Sequence, residues 1–358
     1  MRARLHFCHQ PWTSLFVRKT GRIQPCCANS SELGNIHDDS IEEAWNSEKM
    51  QQIRQHIIDG DYAAAGCART CRIPGRFQEG DEVYGHWVDL DEQHPGDVNL
   101  NNAIEAMQQR QVLINNLPMS FDIQANELCN MNCMMCHQNH DDREHLNSNA
   151  LAKVLLHDRL ILDVRFQGGE VFADKGFFDY LINLRDRLES HQKLTVITNG
   201  SLFDEKMIDA MIDGSERIKI IISVDSVFEP TYRKIRVSNQ FPRVFRNLQY
   251  LGERQKQVGS DESVMWNFMV TRSNLTEVKD ALDLAQQIGV TISFAPIIGP
   301  YEKENLFDYP ELFDQSDLDY MADCVGYAEQ LNVAVLGLPQ IQASMSEQLI
   351  PEKKKQAL

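Results

Sequence analysis

From residue 119 onward, short apolar runs alternate with helical patterns, and that alternation restricts what the chain can fold into. β-type runs occupy Ser120–Ala125, Asp163–Gln167, Leu194–Thr198, Ile218–Val224, Val264–Val270 and Thr291–Ile297. Helical patterns lie between them near 149–158, 176–190, 204–213, 241–257 and 275–288. Strands that alternate with helices make βα units, which build a parallel sheet or barrel. In such folds the chemistry sits at the C-terminal ends of the strands. A helix at 316–330 and one more strand over Asn332–Leu338 extend the pattern. The final stretch, Gln340 to Leu358, is polar and is expected to be loose, with Lys353–Lys355 in a solvated tail.

The first part of the chain reads differently. Ser14–Lys19, then Thr20-Gly21, then Arg22–Pro25 spells a tight hairpin with glycine in the turn. Ser40-Ile41-Glu42-Glu43 is a capping box opening a helix, and Ser47 caps a second helix that stops near Gly60. Residues 1–75 therefore form a small domain with little hydrophobic core, which calls for a metal or disulfide staple. Residues 76–118 read as a linker followed by a helix over Asn101–Leu117, ended by Pro118. No assignment follows for Trp87 or the Asp89–Asp97 loop.

Charge and cysteine usage narrow the function. The chain has 358 residues, 35 basic against 52 acidic, for a formal net charge of −17. Such a field opposes non-specific binding to nucleic acid or anionic membranes. No signal-peptide h-region opens the chain, and no run approaches membrane-spanning length. A cytoplasmic location is expected. There, nine cysteines point to metal or catalysis rather than disulfides, and the odd count suits a disulfide framework poorly.

The strongest motif is Cys129-Asn130-Met131-Asn132-Cys133-Met134-Met135-Cys136, a C-x3-C-x2-C set just after the first barrel strand. Thiolates this close converge on one soft metal centre. Three thiolates on a cubane leave one iron open, and an open position receives a ligand or substrate. The competing reading is a structural zinc knuckle completed by His137 or His140. The place of the loop, at the C-terminal end of a strand, weighs against it. Met131, Met134 and Met135 read as packing around the loop. Glu277, Asp280 and Asp283 read as a solvated helix face rather than a calcium loop.

This arrangement resembles the radical S-adenosylmethionine (SAM) superfamily over about residues 119–300. Later motifs follow in the family's order. Gly168-Gly169-Glu170 looks like the element that holds the SAM amino group. Thr198-Asn199-Gly200 ends the third strand, and Ser223-Val224-Asp225 ends the fourth, where the family often sets a polar side chain on the SAM ribose or carboxylate. The resemblance implies Arg236 as a partner for the SAM carboxylate. Met135 stands where the family usually has an aromatic residue, and its thioether can pack on an adenine face. The resemblance implies that Cys129, Cys133 and Cys136 hold a [4Fe–4S] cluster whose open iron chelates SAM. One electron then cleaves SAM to methionine and a 5′-deoxyadenosyl radical, which takes a hydrogen from the substrate.

Phe7-Cys8-His9-Gln10-Pro11-Trp12, Gly21–Cys27, Gly34-Asn35-Ile36, Ala44-Trp45-Asn46-Ser47 and Cys67-Ala68-Arg69-Thr70-Cys71 look like the SPASM/twitch module of the same superfamily. The resemblance implies an auxiliary [4Fe–4S] cluster on Cys8, Cys26, Cys67 and Cys71, closed by four thiolates as suits electron transfer. Cys27 stands as an alternative to Cys26, and a zinc ribbon on these four cysteines as the alternative to a cluster. The final pair is C-x3-C rather than the commoner C-x2-C. The module also precedes the barrel, whereas in most relatives it follows. Cys324 reads as a buried free cysteine and is the better candidate for a radical-quenching role.

The resulting fold expectation is α/β: a partial (β/α)6 TIM-type barrel preceded by a small α+β iron–sulfur (twitch-like) domain. The expected boundaries are 1–75, 76–118, 119–300 and 301–358, the last a C-terminal extension. The resemblance implies SAM and two clusters as cofactors, a flavodoxin- or ferredoxin-type reductant, and oxidative modification of a peptide or protein side chain. The same chemistry on a small polar molecule is the runner-up. An iron–sulfur electron carrier or metal-stapled binding protein is the non-enzymatic alternative.

Overall fold

The computed structural model describes residues 7–68, 71, 94, 96–146, 161–188, 192–260 and 262–348. The helical pattern at 149–158, Trp87 and the Lys353–Lys355 run lie outside these residues. The chain divides into two compact units, one of residues 1–127, 142–168 and 191–194, the other of 128–141, 169–190 and 195–358.

In the first unit the expected hairpin is present. β1 (Ser14–Val17) pairs antiparallel with β2 (Arg22–Gln24), which pairs with β3 (Gly34–Asn35). Gly21 makes the turn at φ +82°, a left-handed conformation that a side chain resists. β1 also lies parallel to β4 (Ser120–Asn126), and β4 parallel to β5 (Asp163–Gly168). The order is β3-β2-β1-β4-β5. Nothing in the local pattern announces the β1–β4 pairing, because it joins segments about a hundred residues apart.

The core of the N-terminal region is larger than the sequence suggests. Trp12, Trp45 and Met50 are each 0% exposed, and so are Leu100 and Ala103 from the helix Val98–Gln108. That helix ends at Gln108, not at Leu117. Residues beyond it instead supply carbonyls to the core: Trp12 Nε1 donates to Gln111 O at 2.9 Å and Trp45 Nε1 to Asn116 O at 2.6 Å. Fully burying such side chains contributes about 1.5–3 kcal/mol each, so the staple is not the sole support of this region.

In the second unit the strands alternate with helices as expected. They are the Thr195–Thr198 part of β6 (Lys193–Thr198), β7 (Ile218–Ser223), β8 (Val264–Val270), β9 (Thr291–Pro296) and the two-residue β10 (Val335–Leu336), in that order across the sheet. β7 to β10 run parallel. In β8, Val264, Trp266, Phe268 and Val270 are buried and alternate with half-buried Met265, Asn267 and Met269. The helix Phe241–Val258 buries Val244, Leu248 and Leu251, the apolar stripe its period dictates.

Two further expectations are corrected. The stretch read as loose from Gln340 contains most of a helix, Leu338–Gln348, whose Leu338, Ile341 and Met345 are buried at i, i+3 and i+7. Glu277, read as solvated, is 5% exposed and accepts from Ser226 Oγ and from Val227 N at 3.1 Å, while Asp280 and Asp283 do face solvent.

Arg54 is fully buried, and its guanidinium meets carbonyl and amide oxygens. It donates to the carbonyls of Pro11, Trp45 and Val112 at 2.8–2.9 Å and to Asn46 Oδ1 at 3.1 Å, and stacks on Trp45. Arg54→Met strands those acceptors without water. It should lower unfolding free energy by about 3 kcal/mol, read as a reduced urea midpoint.

Candidate active site

The loop after β4 carries Cys129, Cys133 and Cys136 and is fixed by its own backbone and its neighbours. Cys129 N donates to His140 O at 3.3 Å, Cys136 N to Cys133 O at 3.0 Å and Met134 N to Ile235 O at 2.9 Å. Met131 is buried and accepts from the Tyr232 hydroxyl at 3.6 Å. Tyr301 donates to Met135 O at 2.9 Å.

Each of the three sulfurs faces a side-chain nitrogen. Asn199 Nδ2 lies 3.8 Å from Cys129 Sγ, Arg236 Nη1 3.7 Å from Cys133 Sγ and His140 Nε2 3.0 Å from Cys136 Sγ. N–H groups around sulfur stabilise the charge that thiolates carry on a cluster. The donor set therefore fits a three-thiolate cluster. Among the described residues no three His, Cys, Asp or Glu side chains close on a single ion. Burial pushes the Cys129 thiol up to about 11 and raises Cys133 against the pull of Arg236. His137 is exposed.

The other candidate residues collect around the C-terminal strand ends. Glu170 is 0% exposed, and its carboxylate accepts from Thr198 Oγ1 at 2.8 Å, Asn199 N at 2.7 Å and Phe172 N at 3.2 Å. It fixes the Thr198-Asn199-Gly200 turn. Burial pushes it up to about 7, with those donors pulling back. Asp225, also 0% exposed, accepts from Met269 N at 2.9 Å and pairs with Arg236 Nε at 2.7 Å. Burial works against the Arg236 charge, but Asp225 and Cys133 outweigh it and raise its pKa. Ser223 ends β7, half-buried. In the first unit, Gly168 has φ +156°, and a Cβ there would sit 2.3 Å from Asn126 O, so only glycine fits before Gly169.

The second thiol set lies in the first unit. Isolated bridges pair Asn29 with both Cys26 and Cys67, and Ala68 N donates to Ala28 O at 2.8 Å. Cys8 is pushed up to about 12 by burial, with Cys71 and Cys67 adding to the effect. Cys26 is raised by burial, with Cys27, Cys8 and Cys67 adding to the effect, and Cys27 is raised by burial, with Asp122 and Cys71 adding and Arg165 opposing. Cys324 is 1% exposed on the helix Gln315–Ala328.

The comparisons agree with this geometry. Residues 8–72 match the "Iron-sulfur cluster-binding domain" family SPASM, and residues 123–270 match the Radical SAM superfamily. The chain carries a radical SAM domain over residues 123–270 and a SPASM domain over residues 8–72. The radical SAM domain marks an enzyme with SAM and a [4Fe–4S] cluster as cofactors, and the SPASM domain adds auxiliary iron–sulfur. Curated relatives include a probable GTP 3′,8-cyclase of Saccharolobus islandicus, 25% identical over 47% of this chain and 53% of that protein. A GTP 3′,8-cyclase of Rhodopirellula baltica is 28% identical over 32% and 34%. The chain thus spans about half or less of the curated relatives it matches. Among solved structures, Streptococcus suis SuiB aligns at TM-score 0.49 and 15% identity, over 80% of this chain and 64% of that one. anSMEcpe with bound AdoMet and a Cp18Cys peptide aligns at 0.44 and 19%, over 60% and 62%.

Sequence reasoning missed Asn130 and Tyr301. Asn130 donates to Ser201 Oγ at 2.8 Å and accepts from Asn199 Nδ2 at 3.0 Å, tying the cysteine loop to the Thr198 turn. Tyr301 lies 166 residues from its partner Met135. No local signal marks either contact.

β4 and β5 also present a polar row: Asp122 is opposite Arg165 and Gln124 opposite Gln167, with Gln167 Nε2 donating to Asp122 Oδ1 at 2.7 Å. Burial pushes Asp122 up to about 6, and Arg165 and Gln167 pull it back. The folded state therefore keeps a proton that the unfolded chain has lost. Stability present below about pH 4 declines as pH rises through about 6. Asp122→Asn should recover about 1–2 kcal/mol at pH 7.5 and nothing at pH 4, measured by urea unfolding. For the sulfurs, Cys133→Ala should remove about four irons per chain, and Cys8→Ala or Cys67→Ala about four others, counted after anaerobic reconstitution.

Proposed function

We propose that the enzyme reductively cleaves SAM and abstracts a substrate hydrogen, most directly for oxidation of a peptide or protein side chain. The observation that carries this reading is the division of the cysteines: three on the loop after β4, and five in the N-terminal module, of which we read Cys8, Cys26, Cys67 and Cys71 as a set of four. The set of three leaves a ligand position open, and the set of four closes its cluster and leaves it to carry electrons. SAM at the reduced cluster supplies a 5′-deoxyadenosyl radical strong enough to break a C–H bond.

In this reading Cys129, Cys133 and Cys136 hold the SAM cluster, and Cys8, Cys26, Cys67 and Cys71 the auxiliary one. Gly168, Gly169 and Glu170 shape the amino-group end of the SAM site, with Asn199 positioned by Glu170. Asp225 holds Arg236 so that its guanidinium meets the SAM carboxylate, Ser223 serves the ribose, and Met135 packs on adenine. An auxiliary electron acceptor suits an oxidation, because hydrogen abstraction leaves one more electron to remove. The peptide half of the reading follows the habit of SPASM-bearing relatives. A flavodoxin- or ferredoxin-type reductant and a cytoplasmic setting complete it.

A small polar substrate is the second reading. The row of Gln124, buried, Asp122 and Gln167, half-buried, and Arg165, exposed, on β4 and β5 favours it, since such groups can hydrogen-bond a polar ligand. Curated relatives named for action on GTP also lean this way.

Reconstituted protein should carry about eight irons and form 5′-deoxyadenosine from SAM with dithionite. Four irons with product would leave the N-terminal set to zinc. Intact SAM in a protein that carries both clusters and binds SAM, with candidate peptides and nucleotides supplied, would overturn the reading. Incorporation of substrate deuterium into 5′-deoxyadenosine would separate peptide from small-molecule donors.

A further inference from the structure

Lys19, in the β1–β2 turn, is 7% exposed although it is a lysine. Its ammonium lies 3.1 Å from Glu127 Oε2, in contact with Asp142 Oδ2, and 3.8 Å from Glu144 Oε2. Glu127 is the last residue before the 128–141 segment, and Asp142 is the first after it. That segment is the cysteine loop. Its two stems are already joined: Asn126 bridges to His145, and Leu146 N donates to Ala125 O at 3.0 Å. Lys19 therefore clasps the exit and the return of the loop at once.

The platform under Lys19 is rigid. Arg18 N donates to Arg22 O at 2.9 Å and Gly21 N to Arg18 O at 2.8 Å, which closes the hairpin turn. Gln124 Nε2 donates to Glu127 Oε1 at 3.1 Å, so the outgoing stem has a second hold. Without the ammonium, the carboxylates of Glu127, Asp142 and Glu144 would repel across the base of the loop. Along the chain the base continues into a segment whose own ends are joined by the Cys129 N to His140 O hydrogen bond.

We propose that Lys19 is a positioning residue that sets the spacing of the cysteine loop by neutralising the carboxylates at its two ends. The inference rests on the reading that this loop holds the SAM cluster. Its test does not require that cluster to be loaded. Hydrogen–deuterium exchange is measured on the full chain, first without iron and then reconstituted, for wild type, Lys19→Met and Lys19→Arg. Lys19→Met should raise exchange in peptides covering 126–146 by about tenfold and leave the rest of the chain unchanged. In the reconstituted enzyme the same variant should raise KM for SAM about tenfold with kcat nearly kept, and Lys19→Arg should recover most of both effects. Exchange within twofold of wild type over 126–146 would overturn the proposal. So would a rise spread over the whole first unit, which would mark Lys19 as a general support. If Lys19→Met does not fold, Asp142→Asn removes one arm of the clasp, and the same local rise of about threefold decides. A wild type that loads no cluster on these cysteines would sink the reading of the loop and leave the exchange result on Lys19 standing.

Discussion

The buried pair of Asp225 and Arg236 is the interaction on which the site depends. Asp225 stands just past the end of β7, and its carboxylate holds both Met269 N near the end of β8 and Arg236 on the helix Glu229–Arg236. Arg236 in turn faces Cys133 Sγ. One carboxylate thus fixes two strand ends and aims a cation at a sulfur. Removing either member would strand the other charge away from water, a loss of about 3–5 kcal/mol. Val237, directly after Arg236, adopts φ +48°, which a β-branched residue rarely accepts, and the helix stops there.

Burial favours the protonated form of Cys129 and Cys133 on the loop and of Cys8, Cys26 and Cys67 in the N-terminal module. Cys129 is pushed up to about 11 and Cys8 to about 12. Near neutral pH Cys129 and Cys8, when metal-free, therefore keep their protons, and a metal that binds them must expel them. Loading is then linked to pH with a definite sign: affinity rises with pH until the free thiols themselves ionise. The N–H groups around the loop sulfurs act only after that step, when the sulfurs carry charge. The same residues thus tolerate a neutral empty site and stabilise a charged full one.

Much of the fold and the sulfur chemistry was legible in the chain. The strands β4 to β9 lie on the apolar runs that announce them, because βα units are locally encoded. The radical SAM and SPASM domains were legible because cysteine spacing is a sequence property. What stayed hidden was long-range. The β1–β4 pairing, the burial of Arg54 against Val112, and the core that the helix Val98–Gln108 lends to the N-terminal region all join distant segments. Glu277 misled because an acidic residue in a helical period reads as solvated until its partners, Ser226 and Val227, are known.

Glu170 shows how a motif residue serves chemistry through structure. Its carboxylate is fully occupied by the Thr198-Asn199 turn and the Phe172 amide, and the turn presents Asn199 to Cys129 and Asn130. A carboxylate buried this completely changes protonation near neutral pH, being pushed up to about 7. A cation beside it would favour its charged form and strengthen the hydrogen bonds from Thr198 and Asn199.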